Sequence, residues 1–168
     1  MNFFRGNPMD VAELLAEVTT GPVTKRAMTN HKVLNEAYAY GSAFSRGMRI
    51  DLNGLVILLI SGTASIDDEG KTVHAGDLRA QTRRTFDNIT GLLASEGATW
   101  HDIVRTTCYL RDIERDYQAF NEERTAFYQE QGLNPLPAST GIQAILCRPD
   151  LLVEIEAIAM FRRASSGE

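Results

Sequence analysis

The chain has 168 residues, of which 43% are apolar and 23% charged, and its formal net charge is −5. This length suits one domain with a core of its own, and the composition is that of an ordinary globular protein. An acidic balance without a basic run argues against a surface for nucleic acids or anionic membranes. The longest apolar run, Leu55 to Ile60, is too short to span a bilayer, so we expect neither nucleic acid nor membrane as a partner.

The N-terminal part of the chain carries few clear signals and is predicted to be an extension covering residues 1–40. Within it, Met9 to Val18 has the spacing of a short amphipathic helix, whereas Lys25 to Glu36 is polar and ambiguous. Acidic residues come too early for a secretory signal, and Cys108 and Cys147 lie far apart without a CxxC context. These features predict a cytoplasmic protein with reduced thiols.

Two strands joined by a tight turn are predicted next. Ala43 to Leu52 alternates between opposite faces, and Leu55 to Ile60 is apolar on both faces, which is typical of a central strand. Asn53-Gly54 between them is a strong signal for a hairpin turn. Small residues from Ser61 to Ser65 follow, and Gly62 is interpreted as part of a tight strand end.

Capping residues and apolar spacing predict two helices, Asp77 to Glu96 and Asp116 to Gln131. Each has its first residue as N-cap and a glycine directly beyond its last residue. Phe120 and Phe127 of the second helix are expected to face the core.

Three further strands are predicted, over Ile103 to Leu110, Ala138 to Leu146 and Leu151 to Met160. The resulting order, β-β-α-β-α-β-β, predicts an α+β domain with a mixed sheet and both helices on one face. The other face would expose apolar side chains in a single copy, and we therefore expect a homo-oligomer.

The last predicted strand has the most unusual pattern, because one face is wholly apolar and the other carries Glu154 and Glu156 among large apolar residues. A carboxylate removed from water needs a partner or takes up a proton. Two interpretations stay open. Both glutamates form salt bridges at a subunit contact, for example with Arg105, or one of them is a general acid or base.

Other kinds of site have weaker support. The spacing of His31, His74 and His101 does not indicate a metal site, and no serine lies in a GxSxG motif, so neither a metal, another cofactor nor a hydrolytic triad is expected. Cys147 is expected, from general frequencies, to be a small buried side chain.

Several short motifs follow one another along the chain: Ile60-Ser61-Gly62, Asp102 to Thr107, Asn121, Pro137-Ala138 and Val153 to Ala159. In this order they resemble the Rid family, also called YjgF imine deaminases or endoribonuclease L-PSP. The resemblance implies a chorismate-mutase-like fold over residues 41–163, with a tail at residues 164–168. It also implies a homotrimer whose sheets line a central barrel, with small-molecule pockets between subunits.

The resemblance further implies site residues. Phe44 stands where the family usually has a tyrosine, and Ser61, Asn121 and Glu154 match pocket residues. The family's arginine, which grips the substrate carboxylate, follows Pro-Ala, but in this chain Ser139 stands there, and nearby Gly141 also departs from the pattern. Because a serine cannot replace a bidentate guanidinium, the usual 2-imino acids are not the expected substrates.

A second resemblance, through Cys147-Arg148-Pro149-Asp150 and the LLVEIE sequence that follows, is to the C-terminal half of chorismatases. In that family a glutamate of this stretch protonates an enol ether, and a nearby cysteine helps to set the product. Glu154 and Cys147 would take these roles here. Arg46, Arg49 and Arg148 are candidate partners for an anionic ligand.

We therefore predict a Rid-like small-molecule enzyme, a deaminase or hydrolase acting on an enamine, imine or enol ether between subunits, with Glu154 as its acid or base. The alternative is a catalytically inactive trimer of the same fold that only binds a small molecule.

Overall fold

The computed structural model describes residues 22–29, 34 and 43–162, which form one mixed sheet and two α-helices. The helices are α1 (Leu78–Ser95) and α2 (Ile113–Glu130). The strands are β1 (Val23–Ala27), β2 (Gly47–Leu52), β3 (Leu55–Ala64), β4 (Ile103–Leu110), β5 (Ala138–Gln143) and β6 (Val153–Arg162). Their order in the sheet is β1-β2-β3-β6-β4-β5, and only the β4–β5 pair is parallel. The predicted α+β fold is confirmed.

The alternating pattern of the last strand sets the two faces of the sheet. Val153, Ile155, Ala157 and Ala159 of β6 are buried, and they join the core with apolar residues of both helices. In that core the Phe86 ring of α1 stacks on the Phe127 ring of α2 at a centroid distance of 4.5 Å. Both helices therefore cover one face of the sheet, as predicted.

The hairpin between β2 and β3 also matches the prediction. Leu52 pairs with Leu55, and the two turn residues Asn53 and Gly54 have φ angles of 48° and 78°. Positive φ angles at both central positions are those of the tight turn that the Asn-Gly pair favours.

Helix α1 begins and ends as predicted, with the Asp77 side chain accepting a hydrogen bond from the Ala80 amide. The predicted start of α2 is wrong. The N-cap is Asp112, whose carboxylate accepts from the Arg115 amide at 3.1 Å, and Asp116 lies one turn inside the helix. The chain offers an aspartate at both positions, and the buried side chain of Asp116 pairs instead with Arg115.

The strand predictions need several corrections. β1 lies within the stretch that was predicted to be an N-terminal extension, where all five residues of the strand are exposed and show no alternation. β2 begins at Gly47 rather than at residue 43, β5 ends at Gln143 rather than at residue 146, and β6 is shifted two residues towards the C-terminus. The predicted helix at residues 9–18 and the predicted tail at residues 164–168 lie outside the described residues.

The sheet face opposite the helices carries apolar side chains near its centre. Leu59 of β3 and Met160 of β6 are 41% and 40% exposed. Their cross-strand partners, Ile158 and Ile57, are half-buried. This group of four residues is named the open-face patch. Neither α1 nor α2, the helices of the described segments, is long and apolar enough to cross a membrane.

Candidate active site

Glu154 lies near the start of β6, between β3 and β4, and points to the face of the sheet that the helices leave uncovered. Its neighbours across the strands are Ala64 of β3 and Tyr109 of β4. The side chain is half-buried, whereas the preceding Val153 and the following Ile155 are fully buried in the core. The alternation of β6 therefore fixes the side of the sheet on which this carboxylate lies.

A bulge in β3 makes room for the carboxylate. The pairing of β3 with β6 shifts between Ile60 and Thr63, so Ser61 and Gly62 fall at the irregularity. A Cβ atom placed on Gly62 would lie 2.0 Å from Glu154 Oε1, which is far inside van der Waals contact. Gly62 was predicted to be a tight strand end, but it lies inside β3, where a side chain would overlap the Glu154 carboxylate in its present position.

The surroundings of Glu154 favour its protonated form. Burial raises the pKa of this carboxyl above its ordinary value, and the charge of Glu156 raises it further. Within the described segments the carboxylate has no ion pair and no hydrogen bond that would oppose these effects. Burial and the charges of Glu156 and Glu154 likewise raise the pKa of the Tyr109 phenol, which lies beside them.

A cavity of about 480 Å³ opens over Glu154 and brings together four of the eight predicted site residues. These four are Phe44, Cys147, Arg148 and Glu154. The remaining wall consists of Arg46, Gly62, Ala64, Ile66 and Leu151. The cavity thus combines one acidic group, two guanidinium groups, a thiol and an apolar wall.

The two arginines of the cavity are held by the surrounding chain. Arg148 Nη1 donates to the Gly70 carbonyl at 2.7 Å and to Thr72 Oγ1 at 3.3 Å. Arg46 is buried, and its guanidinium lies 5.5 Å from the centre of the Phe44 ring. Both guanidinium groups therefore lie in defined positions in the wall of the cavity that Glu154 also lines.

Cys147 is exposed, although a buried side chain was predicted. The turn from Cys147 to Asp150 carries it away from the core, and the buried thiol of the chain is instead Cys108 on β4. The two thiols are not bridged. Cys147 lines the cavity with Glu154, so the two residues that the chorismatase resemblance singles out do lie together.

The other four predicted residues lie elsewhere in the chain. Ser61 donates its hydroxyl hydrogen to the Ser45 carbonyl at 2.7 Å and does not line the cavity. Asn121 on α2, and Ser139 and Gly141 on β5, lie at the far edge of the sheet. One chain therefore gathers four of the predicted residues at the cavity, whereas Ser61 lies in β3 and the other three lie on or beside the β5 edge.

Arg124 is a residue that the sequence analysis missed. Its Nη1 donates to Ser139 Oγ at 3.0 Å, and its Nη2 donates to Asn121 Oδ1. A guanidinium group therefore lies beside Ser139, although position 139 itself is not an arginine. The i, i+3 spacing of Asn121 and Arg124 on a helix was the signal available in the sequence.

The alternative role of the glutamates, pairing with Arg105, is not realised within the chain. Arg105 Nη2 donates to Thr140 Oγ1 at 3.1 Å, and no ion pair joins Arg105 to Glu154 or Glu156 in the described ranges. The described residues also contain no group of three or more histidine, cysteine or carboxylate side chains arranged to hold a metal ion.

Comparison with known proteins places these features in a family context. The model of the family described as endoribonuclease L-PSP matches residues 35–161. A RutC family protein of Pyrococcus abyssi is 32% identical over 102 residues, which are 61% of this chain and 76% of that protein. The 3-aminoacrylate deaminase RutC of Acinetobacter baylyi is 33% identical over 103 residues, covering 61% of this chain and 78% of that protein.

Solved structures show the same fold. The YjgF gene product of E. coli superimposes with a TM-score of 0.67 at 25% identity, covering 82% of this chain and 99% of that one. YyfA, a Rid-family protein of Yersinia pestis, superimposes with a TM-score of 0.66 at 26% identity, covering 81% of this chain and 98% of that one.

Proposed function

Because the chain belongs to the Rid, or YjgF, family, whose model is described as endoribonuclease L-PSP, we propose that it is a small-molecule enzyme. Its substrate is an enamine, an imine or an enol ether, and Glu154 is the acid and base of the reaction. The observation that carries this proposal is the half-buried Glu154 carboxyl, which lines a ligand-sized cavity, has a raised pKa and has no ion pair among the residues that the structure describes.

The substrate class follows from chemistry and from one relative. The similar protein of Acinetobacter baylyi is a 3-aminoacrylate deaminase, and 3-aminoacrylate is an enamine. Enamines, imines and enol ethers share one requirement, which is a proton delivered to carbon or nitrogen before water can add. A carboxyl group that keeps its proton closer to neutral pH is suited to that step.

For an enamine substrate, water is the only other reactant that the reaction needs. The Glu154 carboxyl gives its proton to the carbon of the C=C bond, and the electron pair of nitrogen forms a C=N bond, which leaves an iminium ion. Glu154, now a carboxylate, takes a proton from the water that attacks the iminium carbon. The hydroxyl proton of the resulting carbinolamine then passes to nitrogen, and the C–N bond breaks as the C=O bond forms, which releases ammonia and a carbonyl compound. Glu154 acts first as acid and then as base.

Other groups of the cavity orient the substrate. Arg46 and Arg148 present guanidinium groups, which suit a carboxylate of the substrate, and the Phe44 ring supplies an apolar surface beside them. Cys147 lies close enough to the cavity to contact the bound molecule.

The functional unit is proposed to be a homotrimer with the cavity between subunits. The open-face patch gives a reason for association, because side chains such as Leu59 and Met160 are partly exposed to water in a single copy. All six residues of the edge strand β5 are exposed as well. A neighbouring copy would bring the β5 edge, with Asn121, Ser139 and Gly141, towards the Glu154 cavity.

Turnover by a Glu154→Gln variant tests the proposal. The purified protein is offered 3-aminoacrylate, related enamines and a small enol ether, and release of ammonia or of the carbonyl product is followed. Glu154→Gln should lower turnover by about a hundredfold to ten-thousandfold, which is the usual contribution of a general acid or base. A folded Glu154→Gln protein with unchanged turnover would end the assignment.

A second candidate function, a trimer that binds a small molecule without converting it, is favoured by Ser139 in the position where the family resemblance expects an arginine. The same assay separates the two functions. Recovery of a bound enamine or enol ether unchanged, at the uncatalysed rate, would identify a binding protein.

A further inference from the structure

The segment between β5 and β6 brings two side chains to the cavity described above without forming a helix or a strand. Residues 144–152 make up this segment, which is named the cavity loop. Leu146 and Leu151 are buried, whereas Cys147, Arg148 and the two residues that follow are not. Burial therefore anchors the two ends of this stretch, and the positions of Cys147 and Arg148 depend on hydrogen bonds.

Arg111, the residue directly after β4, supplies several of these hydrogen bonds. Its amide donates to the Leu152 carbonyl at 2.9 Å. Its Nε donates to the Leu151 carbonyl at 2.6 Å, and its Nη2 donates to the carbonyls of Arg148 and, at 3.4 Å, of Leu146. One guanidinium group therefore joins three carbonyls of the cavity loop, and hydrogen bonds from a charged donor are stronger than those between neutral groups.

Arg148 is held at the other end of its side chain as well. Its guanidinium donates to the Gly70 carbonyl and to Thr72 Oγ1, which belong to the connection between β3 and α1. Thr72 in turn donates to Asp150 Oδ1 at 3.2 Å. Arg111 thus fixes the carbonyl of Arg148, while Gly70 and Thr72 fix its guanidinium. Loss of the Arg111 contact would change where the Arg148 charge lies in the cavity.

Arg111 itself does not line this cavity. Its planar guanidinium presents Nε and Nη2 side by side, so it reaches the carbonyls of Leu151 and Arg148 together, whereas a lysine ammonium is a single point charge. We infer that Arg111 is a positioning residue, which places Arg148 in the cavity wall and thereby sets the preference of the cavity for an anionic ligand. This inference rests on the proposed function only in taking this cavity as the ligand site.

Alkylation of Cys147 reports on the position of Arg148 without any turnover. The thiolate sulfur attacks the CH2 carbon of iodoacetate or iodoacetamide and iodide leaves, and of these two similar reagents only iodoacetate is charged. Because both react with the same thiolate, the thiolate fraction cancels in the ratio of their rate constants, iodoacetate over iodoacetamide, which is named the charge ratio. Cys147 is exposed and Cys108 is buried, and mass spectrometry identifies the labelled thiol.

Arg148→Gln should lower the charge ratio by about threefold at low ionic strength, because it removes a charge that attracts iodoacetate. Arg111→Gln should lower it by a similar factor. The double variant should fall no further than Arg148→Gln alone, since Arg111 acts through Arg148. Arg105→Gln is the matched control, because it removes an arginine of β4 that donates to Thr140 Oγ1 on β5, and it should leave the ratio unchanged.

Three results would overturn the inference. Arg111→Gln lowers the charge ratio by the same factor with and without Arg148→Gln, so that its charge acts directly; or a folded Arg111→Gln protein keeps the ratio; or Arg148→Gln keeps it. Should Arg111→Gln fail to fold, Arg111→Lys takes its place. The lysine keeps the charge but not the planar group, so it should still lower the ratio, and an unchanged ratio would contradict the inference.

The role of Glu154 is tested separately. Alkylation does not use its carboxyl as an acid or base, so Arg111→Gln should lower the charge ratio by the same factor in a Glu154→Gln background. That result, together with unchanged turnover in Glu154→Gln, would refute the proposed acid and base and support the positioning role of Arg111. Lost turnover in Glu154→Gln with a charge ratio that does not respond to Arg111→Gln would do the reverse.

Discussion

The Glu154 Oε1 atom occupies the space directly above Gly62, so that a Cβ on Gly62 would lie only 2.0 Å away. These two residues belong to adjacent antiparallel strands, and the bulge at Ser61–Gly62 interrupts their pairing at this point. The position of the carboxylate therefore depends on an irregularity in β3 as well as on the alternation of β6.

Gly62→Ala should displace the Glu154 side chain. The added methyl group overlaps the Glu154 carboxylate, which is the end of a flexible side chain and can rotate away, so the free energy of unfolding should fall by at most about 1.5 kcal/mol, the cost of a side chain held off its rotamer. Chemical denaturation measures this loss, and the Glu154 pKa, followed by NMR, should change as the carboxyl moves. Gly141→Ala is the control, because its Cβ would meet only Tyr117 Cε2 at an ordinary 3.7 Å. Equal stability of the two variants, with an unchanged Glu154 pKa, would show that the clash is not real.

Glu154→Gln should change how stability depends on pH. Because the pKa of Glu154 is raised on folding, its contribution to stability is fully present below the ordinary value of 4.5 and is lost as pH rises through the folded pKa. As pH rises from 4.5 through the folded pKa, the unaltered protein loses this contribution and Glu154→Gln does not. The free energy of unfolding of Glu154→Gln, relative to that of the unaltered protein, should therefore increase over this pH range and stay constant above it.

Glu122→Gln provides a control of opposite sign. Arg79 and Gln118 lower the pKa of the Glu122 carboxyl, so its contribution is present above the ordinary pKa and is lost as pH falls. Its replacement should therefore lower relative stability at neutral pH. Thermal unfolding from pH 3 to pH 8 gives both curves, and parallel curves for the two variants would contradict the opposite environments of these glutamates.

Leu59→Lys should dissociate the proposed oligomer. A lysine at the centre of the open-face patch would place a charge where another copy is proposed to pack. Sedimentation is expected to show a trimer for the unaltered protein and a single chain for the variant, with its helical signal kept. Val23→Lys introduces the same charge at a residue of β1 that is 64% exposed, and it should leave the assembly unchanged. An unaltered protein that sediments as a single chain would refute the trimer.

Gln81→Ala should loosen the start of β6. The Gln81 amide donates to the Asp150 carbonyl at 2.8 Å, and its oxygen accepts from the Leu152 amide at 2.8 Å. Loss of both partners should lower the free energy of unfolding by about 2 kcal/mol or more. The exposed Gln118, whose side chain donates to Glu122 within α2, is the control, and Gln118→Ala should stay within about 0.5 kcal/mol. Similar effects of the two variants would contradict this role of Gln81.

Local signals predicted most of the fold. The period of two in β6, the Asn53-Gly54 turn and the caps of α1 each act within a few residues, and the structure confirms them. β1 gave no such signal, because an exposed edge strand needs no apolar face. The two aspartates at the start of α2 offered equivalent caps, and only packing distinguishes them.

The site was less accessible to sequence reasoning. The apolar surroundings of Glu154 pointed to an unusual carboxylate, but the space that Gly62 leaves for it depends on the pairing of β3 with β6. The contact of Arg124 with Ser139 joins a helix to an edge strand and has no counterpart in local spacing. Contacts of this kind follow from tertiary structure, and sequence patterns of a single element do not contain them.

The most direct test of the central claim is the pH dependence of kcat/KM in the unaltered protein and in Glu156→Gln. If Glu154 donates the proton, the rate must fall as pH rises through its pKa. Loss of the Glu156 charge lowers that pKa and should move this limb to lower pH. Glu130→Gln, which alters an exposed carboxylate paired with Arg83, should leave the limb in place. A limb that stays at the same pH in Glu156→Gln, or that persists in Glu154→Gln, would contradict the assignment of Glu154 as the proton donor.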